Sequence, residues 1–421
     1  MDISLTAAYF IYCSEDITGG NDIYCSIEFK NTYDKSGLFV SYKQFIQDNT
    51  DLQRKFIIKG NKANWESINK RELDCLFEIE KKRLSNYHKI EDVYKIFIPT
   101  NNTLPIKLYP INEKKIVFAV NHVYSNGYGV LYWLNEWLGY AFDKKLEKGI
   151  GLLAIPTAEK CNFLKRIPYK VSSMVNAIRY LTSFQKNAGK DFYRRSIHCL
   201  RHDYSINKKQ RYEFKTYNFN EKETSMFFRN AKLNKQTISG YLTSILCKFL
   251  YEKYLDQDRI CITYPFDMRK ELGISNKEIG NYTSNLNIQV FKNVNIDKQI
   301  RRQYELKNKG IPYGIANLVR ICYKEKNIRA DIIDNCRKSF EDRRVDQLTP
   351  FGFSNFGLIN YPLIKQMVDN ISFYFKSQSI LIELHTLNNC LSISLSFSKD
   401  IYQADEVLDV INEVIKRAKV L

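Results

Sequence analysis

The stretch from Lys115 to Phe142 constrains the chain more than any other, because its composition passes from strand to turn to helix within a few residues. Lys115-Ile-Val-Phe-Ala-Val-Asn121 is β-branched and apolar, the make-up of a buried strand. It runs directly into His122-Val-Tyr-Ser-Asn126-Gly127. Beyond the turn, Val130, Leu134, Trp137, Leu138 and Ala141 share one face at helical spacing. Asn126 is placed to cap that helix, and Gly127 is free to take an unusual backbone angle. A histidine thus stands where a rigid strand gives way to a tight turn, a position from which an imidazole can be aimed into a cleft. A structural role at the strand end fits the same spacing.

The rest of the chain alternates helix and strand. In the first half, strands are expected at Met1–Cys13, Asp22–Lys30, Lys55–Lys59, Asp92–Ile98 and Leu104–Tyr109, with helices at Ser36–Gln47, at the end of Trp65–Arg83, and at Ser172–Gln185. A boundary near residue 190 divides this from a second half. There Arg211–Asn218 and Asp258–Tyr264 read as strands, and Asn220–Leu233, Lys235–Tyr254, Gln299–Lys307, Gly314–Lys324 and Ile328–Glu341 as helices. Ile371–Phe375, Ile380–Leu387 and Leu391–Phe397 read as closely spaced antiparallel strands, the last two joined at Asn388-Asn389, before an amphipathic helix over Asp405–Val420. The pattern predicts an α+β protein of two lobes, residues 1–190 and 191–421, each a mixed sheet with flanking helices, meeting at a central channel.

His122-x-x-x-Asn126-Gly127 resembles the His-x-x-x-Asp-Gly signature of the superfamily that contains chloramphenicol acetyltransferase, condensation domains of nonribosomal peptide synthetases, and alcohol and polyketide-associated acyltransferases. Later segments agree in order and approximate separation. Tyr264-Pro-Phe-Asp-Met-Arg269-Lys270 resembles a segment in which proline, aspartate and arginine recur, and Gly280-Asn-Tyr282 the glycine-asparagine motif that follows it. Phe353-Ser354-Asn355-Phe-Gly357 resembles the Ser-Asn-x-Gly segment of stand-alone members. The resemblance implies acyl transfer from a thioester to a hydroxyl or amine, with His122 as general base and Ser354, or an amide near Asn355, stabilising the oxyanion. Asn126, Gly127, Arg269 and Asn355 would support the site. The donor would be acyl-CoA or a carrier-protein thioester, with no permanently bound cofactor and no metal. Two departures stand out. Asn126 replaces the aspartate that pairs with an arginine, so a contact to Arg269 would lack an ion pair. Asn121 replaces the histidine common before the base in condensation domains, which favours a stand-alone relative.

Net charge bears on partners. The chain carries +18, yet its lysines are interspersed with acidic residues, as in Glu80-Lys-Lys-Arg83. That argues for a solvated surface able to attract an acidic partner, such as coenzyme A or an acidic acyl or peptidyl carrier protein, rather than a nucleic-acid footprint. Ten cysteines without a Cys-x-x-Cys pair suit reduced thiols in the cytoplasm, and no apolar run reaches membrane-spanning length.

Other readings stay open. Gly352-Phe-Ser354-Asn-Phe-Gly357, with Asp369 and His385 downstream, follows the chain order of a serine hydrolase, although Phe356 is bulky for a nucleophile elbow. His198 and His202 share a helical face, but lack a third metal ligand at a persuasive spacing. Asn126 would also suit a binding protein that kept the cleft and lost the chemistry.

Overall fold

The computed structural model describes residues 22–59, 62–96, 98, 103–143, 163–188, 211–254, 258–272, 280–324, 351–377 and 379–420. Met1–Cys13, Ile328–Glu341, the boundary near residue 190 and the His198/His202 pair lie outside them. In chain order the strands are β1 (Asp22–Phe29), β2 (Arg54–Lys59), β3 (Lys62–Ser67), β4 (Ile106–Asn112), β5 (Lys115–Asn121) and β6 (Tyr212–Asn218). There follow β7 (Arg259–Asp267), β8 (Thr283–Phe291), β9 (Phe351–Leu358), β10 (Val368–Phe375), β11 (Ile380–Leu387) and β12 (Cys390–Ser398).

Two main sheets define two lobes. One has the order β10-β1-β5-β4 and the other β6-β12-β11-β9-β7-β8, while β2 and β3 form a separate hairpin. β9 runs parallel to its neighbours β7 and β11, whereas the other recorded pairs in these sheets are antiparallel. The fold is therefore mixed α+β with two lobes, as the alternation predicts.

β5 explains its own composition. Ile116, Phe118 and Val120 enter the first lobe's main core, while Val117 and Ala119 enter a smaller cluster with Tyr24 and Tyr109 on the opposite face. A strand buried on both sides has no polar alternation to show. The helix Gly127–Ala141 is buried almost all round, including Leu131 and Trp133, which lie off the expected apolar face. The helices Leu38–Asp48 and Pro362–Met367 cover it in addition to the sheet.

Three expectations are corrected. Asp92–Ile98 is not a strand: Ile90–Val93 is a short helix, with Glu91 and Asp92 in its first turn where the helix dipole favours negative charge. The apolar run there arises because Val93 and Ile98, with Tyr94 and Ile96 beside them, pack on the outer face of the first sheet. Ile371–Phe375 does not pair with its sequence neighbour. β10 crosses to the other lobe and pairs antiparallel with β1, Phe373 opposite Cys25, leaving β11 and β12 as a hairpin turned by Asn388 and Asn389 at φ 48° and 65°. Hydroxyls tie β10 back to the second sheet, since the Phe373 and Phe375 amides donate to Ser394 and Ser396 Oγ, each at 3.3 Å. Those serines alternate along β12, so the free edge of β10 is satisfied without a strand partner.

Gly127 is the third. It lies outside the set of positive-φ glycines, which comprises Gly280, Gly310 and Gly357 among the described residues. What requires glycine is Phe356: a Cβ at position 127 would stand 1.9 Å from its ring. Phe356 is itself buried and lies tilted against Phe373 at 4.5 Å between centroids, so it has little room to retreat. Gly127→Ala should therefore destabilise the protein by about 1–3 kcal/mol through overpacking, read from urea unfolding. Wild-type stability in that variant would show that the ring can move aside.

Candidate active site

His122 follows β5 in a turn that both lobes hold. Ser125 bridges in parallel to Gly280 of the second lobe, and the Gly280 amide donates to the Tyr124 carbonyl at 2.7 Å. Asn121, fully buried, donates through Nδ2 to the Ile98 carbonyl at 2.7 Å and accepts the Val123 amide at 2.8 Å. The residue where condensation domains carry a histidine here fixes the start of the turn.

The imidazole is partly buried, with its ring 5.8 Å from that of Phe375. Nδ1 lies 2.8 Å from the Ser125 carbonyl and 3.1 Å from Asn281 Nδ2. These neighbours make opposite demands. A carbonyl only accepts and needs Nδ1–H, whereas an amide NH₂ only donates and needs Nδ1 bare. The shorter contact and a further interaction with His122's own carbonyl favour Nδ1–H. The proton then sits on Nδ1, and Nε2 keeps its lone pair. Burial pushes the imidazole below its ordinary value, opposed by those backbone contacts.

Asn126 does two jobs with one side chain. Its Oδ1 accepts the Gly129 amide at 3.2 Å, capping the helix, and also accepts Nη1 of Arg269. Its Nδ2 donates to Asp267 Oδ1 at 3.1 Å. That carboxylate oxygen also accepts the Arg269 amide at 3.1 Å and stands 3.6 Å from Nη1. The charge absent at position 126 is thus supplied from Asp267, and the neutral amide bridges the two ions. Arg269 is fully buried, donates through Nη2 to the Gly280 carbonyl at 3.1 Å, and lies 4.6 Å over the Tyr282 ring.

Ser354 is on β9, half-buried, in register with Glu383 of β11. Phe353, just before it, enters the second lobe's core, so Ser354 faces the opposite side of the strand, toward the seam between lobes. Asn355 is exposed, and its Oδ1 accepts the Gly357 amide at 2.7 Å, holding the local turn rather than the His122 loop.

The hydrolase arrangement fails on geometry. Ser354 lies mid-strand in β9 instead of at a strand-to-helix elbow, Asp369 is exposed on β10, and neither ring nitrogen of His385 hydrogen-bonds to Ser354 or Asp369. Among the described residues, no group of three or more His, Cys, Asp or Glu side chains could hold a metal ion, and no helix is long and apolar enough to cross a membrane.

Asn281 and Asp267 received no role from sequence reasoning, although both stand inside motif segments. The Gly-Asn and Pro-Phe-Asp patterns were the available signal, but spacing could not reveal that both converge on the His122 turn.

No family model matches the sequence, and no curated protein does. Solved structures do. Polyketide synthase associated protein 5 from Mycobacterium tuberculosis superposes with a TM-score of 0.60 at 10% identity, over 99% of this chain and 97% of that one. The first condensation domain of the CDA synthetase gives 0.58 at 9% identity, over 99% and 95%. The chain has the condensation-domain fold. The epimerization domain from the third module of tyrocidine synthetase B shares it, with a TM-score of 0.56 at 10% identity over 96% and 91% of the two chains. Within that fold His122, Asn126, Arg269 and Asn281 meet at the lobe junction.

Proposed function

We propose that this chain is an acyltransferase that moves an acyl group from a thioester to a hydroxyl or amine in a ternary complex. His122 Nε2 is the base that removes the acceptor's proton. The observation that carries this reading is the 2.8 Å approach of Nδ1 to the Ser125 carbonyl beside the lobe junction, which calls for the proton on Nδ1 and leaves Nε2 the basic atom. Lowering by burial keeps the ring neutral at physiological pH, the form a general base needs.

The steps follow from chemistry. The acceptor's heteroatom attacks the thioester carbonyl while Nε2 takes its proton. Charge collects on the former carbonyl oxygen, where the Ser354 hydroxyl or an amide of β9 would donate. Collapse breaks the C–S bond, and the imidazolium returns the proton to the departing thiolate. Holding donor and acceptor together contributes more than the base itself, about 7–11 kcal/mol of the barrier in well-oriented systems. The donor is acyl-CoA or an acidic carrier-protein thioester, both matched to a chain of net charge +18.

Release of free thiol from acyl-CoA, with and without an acceptor panel, tests the reading. Acceptor-dependent release supports it. Binding of acyl-CoA without turnover, from either coenzyme A or carrier thioesters, would instead support a binding protein with the same cleft. The pH profile is a separate prediction. Base catalysis requires neutral His122, so kcat/KM should rise through a midpoint below 6.5 and stay level above it. A midpoint above 6.5 would mean another base.

A further inference from the structure

β11 carries two side chains that the reaction above does not use. Glu383 and His385 are two residues apart and so share a strand face. That face looks away from the second lobe's core: Ile382 and Leu384 between and beside them enter that core, whereas Leu387 enters the first lobe's. Each of the pair is only 1% exposed. Among the described residues neither carboxyl oxygen of Glu383 has a hydrogen-bond partner, and His385 has only a weak approach to the Ile371 backbone, too poor to count as a good hydrogen bond, which leaves at least one ring nitrogen unmet.

Three polar atoms left unmet in one buried place, the two Glu383 oxygens and a His385 ring nitrogen, are costly, and a fold that needed only packing would carry apolar residues there. Among the described residues no cation offsets Glu383, and burial pushes its carboxyl well above the ordinary range. His385 is driven down to about 4 by burial, against a smaller opposing pull from the Ile371 backbone. The position is close to the proposed chemistry. The Phe373 ring meets His385 at 5.3 Å, and the Phe375 ring, two residues along the same strand, meets His122 at 5.8 Å. Two residues of strand span roughly 7 Å.

We infer that Glu383 and His385 form a receptor for an ammonium group, the two carboxylate oxygens and the free imidazole lone pair offering three acceptors to its three N–H donors. Because His122 and His385 meet different rings of β10, the bound ammonium is not the reacting atom. The ligand class is a cationic acceptor, an amino alcohol or diamine, whose nucleophile lies a short chain away from its charged end. Its role as acceptor rests on the acyl-transfer reading, whereas its binding does not. Binding has a proton balance. The empty site holds Glu383 as the neutral acid; when R–NH₃⁺ enters, the carboxyl O–H bond breaks, its proton goes to the buffer, and an ammonium–carboxylate pair remains.

Calorimetric titration of the full chain with aminopentanol and with pentanediol, each in two buffers of different ionisation enthalpy, tests this without requiring turnover. Aminopentanol should bind with release of about one proton, and pentanediol about tenfold to a hundredfold more weakly with none. Glu383→Gln should abolish both the preference and the proton release. Glu383→Met should raise the melting temperature while also losing the preference, because it removes an orphaned carboxyl. Equal binding of the two probes, no binding of either, or binding without proton release would overturn the receptor, as would a lower melting temperature in Glu383→Met. Amine preference in a protein that releases no thiol from any thioester would keep the receptor and sink the acyl-transfer reading.

Discussion

His122→Ala should lower acceptor-dependent turnover by at least about a hundredfold while leaving the fold intact, the low end of what a general base contributes. The side chain is partly buried, but it makes few structural bonds: its Nδ1 contacts are to the Ser125 carbonyl and Asn281, and its ring touches Phe375. The turn is held separately, by Asn121, by the Ser125–Gly280 bridge and by the Tyr124 carbonyl. Circular dichroism and the unfolding midpoint should therefore stay near wild type. KM should change little, because the lost interaction is made in the transition state. Turnover within a few-fold of wild type would remove His122 from the mechanism, whatever the fold resemblance.

Arg269→Met should cost about 3 kcal/mol of stability, the low end of the range for breaking a buried pair. The guanidinium is fully buried, while the Asp267 side chain, 18% exposed, can regain some water once its partner is gone. Asn126 Oδ1 and the Gly280 carbonyl each lose a donor, and Asp267 loses its ion-pair partner 3.6 Å away. Since Gly280 precedes Asn281, which lies against His122, turnover should fall as well. Asn126→Asp is the informative companion. It restores the residue usual in the resembling superfamily, but places a second carboxylate against Asp267 and removes the Nδ2 donor at 3.1 Å. Here it should destabilise by about 1 kcal/mol. Urea unfolding measures both variants. A stabilised Asn126→Asp protein would show that Asp267 does not carry the charge in this network.

Much of the architecture was legible because its causes are local. β-branched runs, two-residue turns such as Asn388-Asn389 and 3.6-residue periodicity mark most strands and helices close to their observed limits. Where local pattern misled, a distant element had taken over the packing. Val93, Tyr94, Ile96 and Ile98 are apolar like a strand because they cover a sheet face, and Gly127 is small because Phe356, far along the chain, fills the space beside it. β10 carries an ordinary strand sequence, and nothing in it says which of two sheets it will join.

By itself, the sequence determined that a histidine would follow a buried strand, that an asparagine would cap the next helix, and that helices and strands would alternate through two halves. Tertiary structure alone decided that Asp267 stands in for the charge missing at Asn126, that Asn281 lies against the histidine, and that Glu383 is buried with no hydrogen-bond partner among the described residues. The reason is range. Propensity and periodicity are summed over neighbours along the chain, whereas these contacts join residues more than a hundred positions apart and leave no spacing to read.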